Sequence, residues 1–182
     1  MRKQKGFSLI ELLIVVAIIL IIAAIAIPNL LRSKMSAADS AAASTLRTLN
    51  TAQVTYATAF PALGYADTFT KLGPNAAPPT CDSTGYCLID NVLASTPVGP
   101  TPKGGYQYYL SPAAATASGS IPDYAFSADP QNLNTTGTNV YCTTSDAVIR
   151  SQRDAGIVPT APGAPVAINV CQTPANFGPL KN

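Results

Sequence analysis

Sixteen residues, Leu12 through Ile27, run without a single polar side chain, and a carboxylate, Glu11, stands directly before them. With Phe7 to Ile10 included, the run is long enough to span a bilayer as a helix of roughly 20 residues. Arg2, Lys3 and Lys5 precede it and, by the positive-inside rule, stay cytoplasmic, so the body beyond Pro28 faces outward. A secretory signal ends its apolar run at a small-residue cleavage site, but this run ends at Ile27-Pro28-Asn29 and continues in a helical pattern. The small residue, Gly6, lies ahead of the run. A cut between Gly6 and Phe7 would leave the hydrophobic segment on the mature chain.

Glu11 is the anomaly in this segment. A carboxylate in an apolar span is costly and calls for a partner. After a Gly6/Phe7 cut, the new α-amino group of Phe7 is one helical turn away, and a neighbouring copy can bring its own amine to the same carboxylate. Opposite charges attract strongly in a dry core, which offsets part of their desolvation. Such a pair sets register between copies as buried polar groups do in coiled coils. The alternative is a plain single-pass anchor with an interfacial Glu.

The stretch KGFSLIELLIVVAIILIIAAIAIP resembles the class III signal and N-terminal helix of type IV pilins and type II secretion pseudopilins. The resemblance covers about the first 30 residues. It implies cleavage after Gly6 by a prepilin peptidase, N-methylation of Phe7, and pairing of Glu11 with the Phe7 amine of an adjacent subunit. It also implies a kink at Pro28. Pro28 lacks a helix donor, which supports a bend; a plain helix end is the competing reading. Many family members carry a mid-span Gly where this chain has Leu20.

After Pro28 the steps of three and four through Leu31, Met35, Ala38, Ala42, Leu46, Leu49, Ala52 and Tyr56 mark a helical stripe. Arg32, Lys34, Asp39, Arg47, Asn50 and Gln53 lie off it. One helix from Phe7 to about Ala59, ended before Pro61, would be roughly 80 Å long at 1.5 Å per residue. That is too long for one small domain, so the first half is expected to protrude and bury itself in other subunits or in membrane.

Residues 61–105 are rich in Pro, Gly and Thr and read as a long surface loop. Strand patterns follow at Tyr106–Leu110, Tyr124–Ser127, Val140–Thr143 and Ala147–Arg150, the last two as a hairpin across Thr144-Ser145-Asp146. The expected class is α+β: a long protruding N-terminal helix whose C-terminal half packs on a small antiparallel sheet, as in the pilin fold. The expected division is 1–6 leader, 7–27 membrane and filament-core helix, 28–60 amphipathic helix and 61–182 head. Within the head, 61–105 is loop, 106–150 is sheet and 151–182 is a disulfide-bounded C-terminal region.

Cys81, Cys87, Cys142 and Cys171 form an even set, which beside a membrane segment suggests disulfides in an oxidising exterior compartment. The spacing does not suit structural zinc. Four cysteines allow three connectivities; Cys81–Cys87 with Cys142–Cys171 is preferred, the second pair resembling the disulfide-bounded C-terminal region of many type IV pilins. Asp67, Asp82, Asp90, Asp123 and Asp129 form no calcium loop and read as solvated. Asn134-Thr135-Thr136 fits a glycosylation sequon, a pattern that arises often by chance.

The chain has no His, which excludes a Ser-His-Asp or Cys-His arrangement, and the head has no G-x-S-x-G or S-x-x-K motif. No enzyme, cofactor or metal is expected. Of 11 basic and nine acidic side chains, loss of Arg2, Lys3 and Lys5 leaves eight against nine. A near-neutral mature chain presents no nucleic-acid site. The resemblance implies a structural subunit of a type IV pilus serving adhesion, twitching motility or DNA uptake. A pseudopilin of a type II secretion system and a minor pilin are the alternatives. Implied partners are identical subunits, the prepilin peptidase and an inner-membrane assembly platform. The precursor would sit in the inner membrane with its head periplasmic, and the assembled form would be extracellular.

Overall fold

The computed structural model describes residues 8–74, 81–153, 166–173 and 177–180. The chain divides into two compact units, Met1–Lys34 and Met35–Asn182. Helix α1 (Leu9–Ala59) contributes to both.

The first unit is helix from Leu9 onward. Its β-branched and alanine-rich stretch has mixed helix propensity. Glu11 in the first turn favours the helix by complementing its N-terminal dipole. Pro28 lies inside α1, which continues beyond it. The missing N–H of Pro28 removes the helical partner of the Ala24 carbonyl.

The second unit joins the rest of α1 to a six-stranded antiparallel sheet. Its strands are β1 (Thr101–Lys103), β2 (Tyr106–Pro112), β3 (Tyr124–Pro130), β4 (Asn139–Thr144), β5 (Arg150–Arg153) and β6 (Gly178–Pro179). They lie in chain order, each paired with its sequence neighbour. The class is therefore α+β. Alternation along the strands divides the sheet into two faces. Tyr106, Tyr108 and Leu110 of β2, Tyr124, Phe126 and Ala128 of β3, and Tyr141 of β4 share a core with Ala42, Leu46, Leu49 and Tyr56 of α1. The opposite face presents Val140 and Cys142, which cluster with Val166, Cys171 and Phe177 of the C-terminal region. Cys171 lies on the short helix α3 (Ile168–Gln172).

The structure differs from the sequence expectation in several places. The segment read as surface loop holds helix α2 (Phe69–Leu72), a 3₁₀ turn at Leu93–Ser95 and β1. It also buries Ala66, Phe69, Leu72, Ile89 and Leu93. Those apolar residues enter the core one or two at a time between turns, so no period announces them. The last hairpin is displaced: β5 begins at Arg150, not Ala147. Asp146 accepts from the Val148 N–H at 3.0 Å and from Arg150 at 2.6 Å, and so builds a longer turn. Finally, Asp39, Asn50 and Gln53, placed off the apolar stripe, are buried.

Candidate functional site

Two surfaces carry the functional argument: the apolar length of α1 in the first unit, and the seam where α1 meets the sheet in the second.

In the first unit, sixteen large aliphatic side chains from Leu9 to Leu31 are between 46% and 80% exposed. Soluble monomers rarely expose apolar patches beyond a few hundred Å². At about 1.5–3 kcal/mol per fully buried aliphatic side chain, covering sixteen is worth on the order of 20–50 kcal/mol. α1 is also long and apolar enough to cross a membrane. Glu11 is exposed and forms no ion pair among the described residues. Gly6 and Phe7, the expected cleavage and methylation positions, lie outside the described residues. Pro28 is in the helix interior.

In the second unit, three polar side chains on the buried face of α1 are matched by the head. Asp39 is 8% exposed. Its carboxylate accepts from the Thr138 N–H at 3.0 Å, the Thr138 hydroxyl at 2.6 Å and the Asn139 side-chain amide at 3.1 Å. The Tyr106 hydroxyl donates to it as well. Burial, and then this bond to a carboxylate, hold the Tyr106 phenol well above its ordinary pKa. The approach depends on Gly137, where a Cβ would stand 2.3 Å from Tyr106 Oη.

Eleven residues along, Asn50 donates to Thr143 Oγ1 at 2.8 Å and accepts from the Tyr124 hydroxyl at 3.1 Å. Gln53 then brackets one residue of the following segment: its amide donates to the Ala66 carbonyl at 2.9 Å and accepts the Ala66 N–H at 2.8 Å. Buried polar groups are tolerable when satisfied, and a satisfied set specifies one packing register. Sequence reasoning missed these residues because polarity alone placed them outside. The available signal was their spacing, since 39, 46, 50 and 53 follow helical steps with Leu46 among them.

Two disulfides close the head, Cys81–Cys87 and Cys142–Cys171, with Cα–Cα separations of 5.5 and 5.9 Å. The second ties β4 to α3 and holds the C-terminal cluster on the sheet. Asn134 is exposed on the turn between β3 and β4. Of the aspartates read as solvated, Asp129 is buried at 8% exposure, against the sequence expectation. Its place on β3 turns it to the sheet face that the C-terminal region covers.

An open groove of about 360 Å³ is lined by Arg47, Asn50, Thr51, Val54, Thr55 and Ala147, and contains no nucleophile–base pair. Among the described residues, no three His, Cys, Asp or Glu side chains come together as metal ligands.

Comparison with known proteins adds one localised finding. Residues 1–27 match the prokaryotic N-terminal methylation motif. The chain is 62% identical over 40 residues to the type IV wide pilus major component PilA4 of Thermus thermophilus, covering 22% of this chain and 30% of that protein. It is 50% identical over 54 residues to the type IV major pilin protein PilA of Myxococcus xanthus, covering 30% of this chain and 24% of that protein. The chain thus spans less than a third of the length of either relative. No solved structure matches significantly.

Proposed function

We propose that this chain, whose N-terminal segment is that of the type IV pilin family, is a structural subunit of a type IV pilus. The carrying observation is the exposed aliphatic length of α1 behind Glu11, a surface left uncovered among the described residues. A bilayer covers it first and neighbouring copies cover it afterwards. In this reading residues 1–6 are a leader, residues 7–27 the membrane and filament-core segment, residues 28–60 the amphipathic half of the helix and residues 61–182 the head. A prepilin peptidase cuts between Gly6 and Phe7 and methylates Phe7. Glu11 then receives the Phe7 amine of an adjacent subunit, which sets the stagger, and Pro28 marks the bend in the helix. The inner-membrane assembly platform draws subunits from the bilayer into an extracellular fibre. The work is mechanical, not catalytic, and adhesion, motility or DNA uptake belongs to the fibre.

The test is electron microscopy of sheared surface material joined to mass spectrometry of the subunit. Long fibres whose subunit begins at methylated Phe7 support the reading. A cut subunit confined to short periplasmic assemblies favours a secretion pseudopilin. Uncut protein remaining in the membrane overturns both.

A further inference from the structure

Asp129 is the buried group that assembly does not use. It lies on β3 opposite Gln107 of β2, and neither carboxylate oxygen has a hydrogen-bond partner among the described residues. The side-chain amide oxygen of Gln107, its cross-strand neighbour, accepts from the Tyr109 hydroxyl at 2.9 Å. The same sheet face carries Ser127, whose hydroxyl oxygen accepts from the Val166 N–H at 3.5 Å, and the Cys142–Cys171 bond. The C-terminal cover therefore rests on a face that contains an unsatisfied carboxyl.

We infer that Asp129 makes the docking of the C-terminal region on the sheet sensitive to pH, with the cover held while the carboxyl is protonated and loosened once its proton leaves for solvent. A neutral carboxyl is tolerable at such a position, whereas a bare carboxylate without a donor or cation is not.

Among the described residues, the surrounding charges offer no compensation. From β2 the titratable group on this face is Tyr109, whose phenol is itself raised by burial and then by Asp129. β1 places Pro102 opposite Gln107. β4 contributes Val140 and the disulfide-bonded Cys142. β5 contributes Gln152 and Arg150, the latter held by Asp146 at 2.6 Å. Val166, Cys171 and Phe177 of the cover carry no charge.

Burial raises the Asp129 pKa to about 7 from an ordinary 3.8. A raised folded-state pKa stabilises the closed form below the unfolded value, and this contribution is lost as pH climbs through the folded value. The window is therefore about pH 4 to 7.

The test uses the full chain in detergent with its disulfides intact. Hydrogen exchange is followed by mass spectrometry at pH 4.5 and pH 8, each normalised to the intrinsic rate. Protection of residues 140–142 and 166–173 is expected to fall at least about tenfold at the higher pH, since each unit of pKa difference is a factor of ten. Protection of α1 residues 42–56 is expected to change less. Asp129→Asn is expected to keep its cover equally protected at both values. An equal fall in that variant, or no fall in the parent, overturns the inference. Should Asp129→Asn not fold, carbon NMR of the parent's Asp129 carboxyl decides: a midpoint near 7 supports the device, and one near 4 removes it.

Discussion

Between Leu9 and Leu31, α1 is aliphatic and exposed; between Asp39 and Tyr56 one face of it is buried, and that face carries a carboxylate and two amides. Hydropathy alone would assign the two halves the other way round. The difference lies in where each half finds its complement. The polar half finds it within the chain, in hydroxyls, amides and backbone groups at matched positions. The aliphatic half meets nothing comparable among the described residues, and its side chains stay exposed. Chemistry that looks unfavourable for burial is buried wherever every group is met. Chemistry that looks ideal for burial stays exposed when the other wall is missing.

Mutations should separate the halves cleanly. The largest effect is expected for Glu11→Val. The variant should insert, be cut and fold with an unaltered head, yet yield at least about tenfold less fibre if the charge sets register. Parental fibre yield, measured from sheared cells, would break the proposed role of Glu11. Next comes the double change Cys142→Ser with Cys171→Ser, which opens a link across 29 positions. It should cost about 3–4 kcal/mol in chemical denaturation, against about 2 for opening Cys81–Cys87, because the shorter link constrains the unfolded chain less.

Asp39→Ala strips the acceptor from Thr138, Asn139 and Tyr106. A loss of about 3 kcal/mol is expected, with Asp39→Asn in between, because buried donors are left unmatched. A change below about 0.5 kcal/mol, the range of ordinary surface substitutions, would show that the polar seam does not hold the helix to the sheet. Smallest is Gly137→Ala, which pushes against Tyr106 and should cost about 1–2 kcal/mol, the usual range for overpacking. None of these second-unit variants should affect membrane insertion, and a clear insertion defect would blur the division between the halves.

Legibility followed the same division. The apolar run, the helix through Pro28 and its stop before Pro61 could be read because each rests on local chemistry. β2 and β3 could be read from alternation, apart from their last few residues. Asp39, Asn50 and Gln53 could not, because their burial depends on Thr138, Thr143 and Ala66, which are distant in sequence. Asp129 was misread for a related reason. An aspartate on a strand ordinarily faces water, and nothing local in the sequence marks Asp129 as a buried position of β3. The 61–105 segment hid its core residues because Phe69, Leu72 and Leu93 are set by turns, which impose no period.

The strict chain order of the sheet bears on biogenesis. No strand must wait for a later one before it can pair, since each meets its predecessor as soon as it emerges. From β1 to β5 such a sheet can zip up progressively, with short loops to close at each step, while β6 joins across a longer connection. For a polypeptide made from one end, that order limits how long bare edges stay open to neighbouring chains.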